Sequence, residues 1–433
     1  MGLTASKNTY MIKDFSSNPL CGSDKNRQVD ILFIVFCLWL LVLMCRPQDI
    51  FPFLSPLRPA LVLSIIVFIV LIFRSHDLIQ KLFYQERQNK LFVYMVFFMI
   101  LSIPFAIYRR SSFEFVFTVY SIVILFYYLF YGIVDSINRL RTVILLGCIG
   151  NGLYLTYSVA TGTMIGGRLF FGDMFDANDL AFYALSFLPL NLIFISRDNS
   201  KLIRVACLGF FIVGMLLILL TGSRGGMLAL ATVIAVALCT KSRVISRPLK
   251  GFVISLSIIL LFFAPANSER FNTIFNLEDD YNLQAETGRV AIWKAGLRIM
   301  FENPLTGVGV NNFAEAIGTD RQRRGEESLR WQAAHNMVVQ IGTETGIIGM
   351  TLFLLMSMNV FRILGRARKE SDSGQLAKIA EMGRLGFLGL FVSGMFLSQA
   401  YSIFWAFYIS FSAIISRIMS QEKTEQYTDK INH

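Results

Sequence analysis

Ile31-Leu32-Phe33-Ile34-Val35-Phe36-Cys37-Leu38-Trp39-Leu40-Leu41-Val42-Leu43-Met44-Cys45 runs for fifteen residues without a charge. Its apolar residues come in a block and do not alternate with polar ones. Ala60–Phe73 and Phe252–Ala264 repeat the pattern. Across all 433 residues, 55% are hydrophobic and 16% charged, whereas soluble domains carry about 25% charged residues. A bilayer core asks for about 20 largely apolar residues per helix. Several runs here are shorter, so tilt or polar flanks must help them cross. The expected fold class is an all-α polytopic membrane protein.

Working outward, about twelve spans are expected: 29–45, 59–73, 91–108, 113–134, 142–160, 180–195, 203–220, 225–240, 250–265, 337–363, 384–400 and 402–418. Pro47, Pro52, Pro56 and Pro59 make the first connector a rigid turn and not a helix. The chain divides into an N-terminal tail (1–28), nine spans (29–265), one long polar loop (266–335), three spans (336–418) and a tail (419–433). The first run begins near residue 29 and lacks a small-residue cleavage site, so it reads as a retained span. Met1-Gly2-Leu3-Thr4-Ala5-Ser6 fits a myristoylation pattern, which is superfluous beside so many spans.

Charge orients the chain. With the N-terminus in the cytoplasm, the inner segments hold 26 Lys and Arg, and the short outer connectors hold 6. That bias follows the rule that cytoplasmic loops collect cations. It also accounts for the formal charge of +11 without any nucleic-acid partner. The six cysteines, at 21, 37, 45, 148, 207 and 239, show neither a disulfide framework nor C-x-x-C metal spacing. This orientation puts three distant segments on one outer face: 161–179, the Thr221–Gly226 turn and 266–335.

Candidate chemistry lies on that face. Ser223 can cap a helix starting near Arg224, and Gly225-Gly226 would leave backbone accessible. A helix N-terminus and a guanidinium aimed at one spot make an anion site; a snorkelling arginine fits the same spacing. Arg289 would sit in the first turn of a helix capped by Thr287 and stopped by Asn303-Pro304. The helix dipole disfavours a cation there, so an anionic partner or plain solvation must offset it. Gly307 and Gly309 call for close backbone approach or positive φ. His335 is one of three histidines, and the only one on the outer face beside the arginines. It can accept a proton near neutral pH, or simply cap a helix at the interface. Asn336, Gln340, Thr343 and Glu344 share one helical face. Such a stripe lines a wet cavity or bonds to other helices.

Thr221-Gly222-Ser223-Arg224-Gly225-Gly226, then Gly288-Arg289 with Trp293, then Gly307-Val308-Gly309 with Phe313, then His335-Asn336 and Gly342–Gly349, occur in the order seen in the O-antigen ligase and polymerase superfamily. Arg168, Asp173 and Asp176-Ala177-Asn178-Asp179 resemble a further ligase motif, with Ala177 where that family often has proline. The resemblance covers roughly residues 165–350. It implies a glycosyltransferase-C-like enzyme of the bacterial inner membrane, with a periplasmic active site. Such an enzyme moves a glycan from undecaprenyl pyrophosphate to an acceptor hydroxyl, which for ligases belongs to lipid A–core. Carried over, Arg224 and Arg289 hold the pyrophosphate and His335 is the base. Ser223, Arg168, Asn178 and Asn336 are candidate substrate contacts. No cofactor and no metal are expected, since the outer connectors offer few clustered carboxylates; the densest group is Glu278-Asp279-Asp280. Polymerases and protein O-oligosaccharyltransferases of the superfamily share these features. A secondary transporter also fits twelve spans, but no two-half repeat is visible.

Overall fold

In lipid, a chain must satisfy its backbone internally, so charge-free runs become helices. A computed structural model describes residues 31–82, 86–172, 176–262, 285, 288–326 and 330–432. Ahead of the long polar segment come α1 (Ile31–Cys45), α2 (Pro59–Leu82), α3 (Arg87–Ser102), α4 (Arg109–Ile133) and α5 (Ile137–Thr161). They are followed by α6 (Ala177–Ile195), α7 (Lys201–Leu220), α8 (Arg224–Cys239) and α9 (Arg247–Phe262). The rest is α10 (Arg289–Glu302), α11 (Phe313–Arg323), α12 (Met337–Glu370), α13 (Gly374–Gly394) and α14 (Ile403–Asn432). A two-stranded hairpin, β1 (Thr163–Ile165) and β2 (Arg168–Phe170), bridges α5 to α6.

Each expected span falls on one of these helices. Among the described residues, eight (α2 to α7, α12 and α14) are long and apolar enough to cross a membrane, and α1 and α8 are shorter apolar helices. The protein is an all-α, multi-pass membrane protein. Buried residues make up 83% of the α6 span and 78% of the α14 span, against 11% for Pro52–Leu71. Helices α6 and α14 therefore form the centre. Helix α2 instead presents Leu61, Val62, Ile65, Phe68 and Ile69 outward, a surface suited to lipid. Aromatic rings knit the centre together: Phe407 meets Phe130 at 5.2 Å and Phe187 at 5.1 Å.

The connectors sort into two groups by their contacts. At one end, Arg141 donates to Asn199, the Arg243 N–H to Glu381, and Arg417 to the Val134 carbonyl. At the other, Tyr154 donates to Asp49, Arg168 to the Thr221 carbonyl, and the Ile107 N–H to the Val308 carbonyl. The second group holds every candidate site residue.

Two local expectations need correction. The proline-rich connector contains a helical turn, Pro47–Ile50, and a 3-10 stretch, Pro52–Leu57. Proline opens both, a position where its missing N–H has no intrahelical bond to lose. The span expected at 384–400 is a helix over Gly374–Gly394, with irregular chain from 395 to 402. Hydropathy marked the apolar part; the helix starts earlier, where Ser373 caps it by accepting from the Leu376 N–H.

Helix α12 is broken. Gly346 has φ +70° and ψ −171°, outside helical values. The carbonyls freed around the break are taken by the 304–309 segment. Val308 N–H donates to the Thr343 carbonyl at 3.0 Å and Gly309 N–H to Glu344 at 2.9 Å, while Ile347 N–H donates to Pro304 at 2.8 Å. This close approach needs Gly307 (φ +64°), where a Cβ would lie 2.4 Å from the Glu344 carbonyl carbon. A Cβ at Gly346 would lie 2.5 Å from the Pro304 oxygen. Left-handed backbone costs an L-residue about 1–2 kcal/mol, and the overlap adds to that. Gly346→Ala should therefore lower the thermal unfolding temperature of the purified protein. An unchanged temperature would show that the break is not required.

Candidate active site

The site is built on two helix N-termini. Ser223 caps α8 as its sequence suggests: its Oγ accepts from the Gly226 N–H at 3.2 Å. Arg224 is then the first helical residue. Arg289 likewise opens α10, with Gly288 at the N-cap. The expected cap, Thr287, lies outside the described residues, as do Asp173 and Glu278-Asp279-Asp280. One cavity of about 370 Å³ brings together Arg168, Asn178, Ser223, Arg224 and Arg289, five of the seven candidate residues. That volume falls within the usual range of small-ligand sites, about 300–1,000 Å³. Trp293, one turn after Arg289, forms part of its wall together with Phe396 and Leu397. Its described lining includes three guanidiniums and no carboxylate.

Arg168 is held by two hydrogen bonds. Arg168 donates through Nε to the Thr221 carbonyl at 2.9 Å and through an Nη to Asn178 Oδ1 at 2.8 Å. It ties the hairpin to the turn that presents Ser223-Arg224. Asn178 in turn donates to Asp176, whose carboxylate caps α6 by accepting from the Asn178 and Asp179 N–H groups. Both therefore buttress the turn while lining the cavity.

Gly225 and Gly226 both line the cavity, as accessible backbone would. Both are buried. A Cβ at Gly225 would sit 2.7 Å from Phe396, and one at Gly226 would sit 2.6 Å from Ala181. Their missing side chains let the start of α8 press against α6 and the 395–402 segment.

His335 precedes the α12 N-cap with φ +47°. It is half-buried, and its N–H donates to Ser398 Oγ at 2.8 Å. Burial and then the Arg289 guanidinium hold its imidazole below the ordinary pKa of 6.5, while Asp176 acts in the opposite direction. The ring thus shares an electrostatic neighbourhood with Arg289, which together with burial favours its neutral form. Asn336 plays another part. It is 5% exposed, and its Oδ1 accepts from the Val338 and Val339 N–H groups, capping α12.

The polar stripe below it faces protein. Gln340 accepts from the Ala400 N–H, Thr343 donates to the Gly296 carbonyl, and Glu344 accepts from the Phe313 N–H. The basic stretch from 321 to 330 is also internally paired. Arg321 donates to the Arg330 carbonyl and to Gln332, and Arg324 meets Asp320 at 2.8 Å and Glu326 at 2.6 Å. Arg298 of α10 meets the same Asp320, and α10 and α11 pack over a small core of Ile292, Ile299, Phe313 and Ile317.

The sequence missed Ser398, and with it the whole 395–402 segment that anchors His335 and walls the cavity. The signal was present: Ser398-Gln399 is a polar pair inside an apolar run. Gln399 donates to Asp179 at 2.9 Å, joining that segment to α6 as well.

The fold and cavity together describe a multi-pass membrane protein with a cavity lined by three guanidiniums at one end and His335 in electrostatic reach of one of them. Residues 208–354 match a family model described as O-antigen ligase, and this match supports membership in the O-antigen ligase family. The matched stretch includes Ser223, Arg224, Arg289, His335 and Asn336, but not Arg168 or Asn178. No curated protein matches the chain.

Proposed function

We propose that the protein is a glycosyltransferase of the bacterial inner membrane. It moves an O-antigen glycan from undecaprenyl pyrophosphate to lipid A–core at the periplasmic face. The observation that carries this reading is the cavity where Arg224 and Arg289, each opening a helix, meet with His335 in electrostatic reach of Arg289. A pyrophosphate suits that place, because a guanidinium fork bonds two phosphate oxygens at once and helix N-termini favour anions. In the reaction, the acceptor hydroxyl oxygen bonds to the anomeric carbon of the donor glycan. The bond from that carbon to the phosphate oxygen breaks, and undecaprenyl pyrophosphate leaves with the electron pair. His335 takes the hydroxyl proton. The arginines stabilise the charge gathering on the leaving group, which is where electrostatic preorganisation acts most strongly.

The test is incubation of the purified protein with undecaprenyl-pyrophosphate glycan and lipid A–core, with products resolved on a gel. The expected product is lipid A–core carrying the glycan. Elongated donor without acceptor modification would instead identify a polymerase. Fixed guanidiniums do the work that other pyrophosphate enzymes assign to a divalent cation. Transfer should therefore persist in excess EDTA and should not rise with magnesium or manganese. Loss in EDTA that either ion restores would overturn the two-arginine mechanism.

A further inference from the structure

A second concave surface, an open cleft of about 500 Å³, is lined by the first turns of α4, the preceding Tyr108, and Asn311. Its chemistry contrasts with that of the cationic cavity. The charged groups of its described lining, Arg110 and Glu114, offset each other at 2.7 Å. The other polar groups are the hydroxyls of Tyr108, Ser111 and Thr118 and the amide of Asn311. A phosphate finds no net charge there. A neutral sugar finds donors and acceptors in both senses, and a half-exposed aromatic ring in Tyr108.

The cleft is a formed feature of the fold. Asn311 has φ +62°, and its Nδ2 donates to Ser111 Oγ at 3.2 Å. Behind it, Ser112 donates to the Val310 carbonyl at 2.7 Å and accepts from Asn312 at 2.9 Å. The α4 wall carries a π-turn over Phe115–Val119, a local widening that is frequent at functional sites. Phe113 and Phe117 stand exposed on the same turns, with ring centroids 4.7 Å apart. An apolar face beside a neutral polar cleft suits a saccharide tethered to the membrane.

The cleft also adjoins the site. Phe115, in its wall, meets Tyr401 edge-on at 5.3 Å. Leu397, four residues earlier, lines the cationic cavity. Four residues reach at most about 14 Å. Ser398, between them, holds the His335 backbone. The His335 backbone is thus tied to a strip of chain with residues against both surfaces. We propose that the cleft binds the uncharged sugar units of the membrane-anchored acceptor. This assignment rests on the reading of the chain as a glycosyltransferase.

The test uses full-length protein in nanodiscs and, as probe, core oligosaccharide freed of acyl chains and phosphate. Wild type binds the probe, and inorganic pyrophosphate does not displace it. Asn311→Gly keeps the left-handed backbone and removes the amide; Tyr108→Ala removes the ring. Each weakens probe binding by about tenfold, the upper reach of one hydrogen bond. Unfolding temperatures confirm that both variants are folded. In transfer assays each raises the acceptor KM and leaves kcat within about twofold. No probe binding by wild type, displacement by pyrophosphate, or unchanged binding in both variants would overturn the assignment. Absence of transfer by wild type would instead remove the glycosyltransferase reading, because the binding measurement judges the cleft separately.

Discussion

His335→Ala lowers glycan transfer by about 10²–10⁴-fold, the usual worth of a general base, and leaves donor binding intact. Because the residue sits at φ +47°, His335→Asn is the companion variant, since asparagine tolerates left-handed backbone. Both should fold, as judged by unfolding temperature, and both should be inactive. The pH profile is a second readout. The base works unprotonated, so kcat/KM rises with pH through an apparent pKa below 6.5 and is flat above it. Arg289 helps hold that pKa down, so in Arg289→Gln the acidic limb moves to higher pH. Wild-type rates in either histidine variant, or a limb that stays in place, would remove His335 from this role.

Arg224→Ala and Arg289→Ala should each lower transfer by about 10²–10³-fold, the loss typical for one charge-stabilising donor. Lysine keeps the charge but loses the planar fork, and about a tenfold loss is expected in each lysine variant. Arg168→Lys provides the contrast. Two of its donors are spent on the Thr221 carbonyl and Asn178, so its loss should show in unfolding temperature as well as in rate. Full activity in the lysine variants of Arg224 and Arg289 would mean that those side chains are ordinary interfacial cations.

Much of this was legible in the chain itself. Blocks such as Ile31–Cys45 can satisfy their backbone in lipid only as helices, so helix positions followed from composition. Ser223 and Arg224 were legible because capping is local: the hydroxyl and the N–H it serves lie three residues apart. The 395–402 segment was not. Its partners, His335, Gln340 and Asp179, lie 60 residues or more away in sequence, and no local pattern encodes such pairings. The close packing behind Gly225 and Gly226 was hidden for the same reason, since Phe396 and Ala181 supply it. Asn336 is a local case again: its Oδ1 caps α12 through N–H groups two and three residues on.

The break at Gly346 divides α12 into two arms. The long arm, residues 347–370, spans about 36 Å at 1.5 Å per residue and is enough alone to cross a hydrocarbon core of about 30 Å. The short arm, 337–345, is tied to Gly296 and to the 304–309 segment. When a bilayer thins or thickens, spanning helices respond by changing tilt. Here both arms are bonded to one segment: the Ile347 N–H that opens the long arm donates to the Pro304 carbonyl, while the Val308 and Gly309 N–H groups hold the short arm. A membrane-crossing helix and the short helix that follows His335 thus meet the same loop at one glycine.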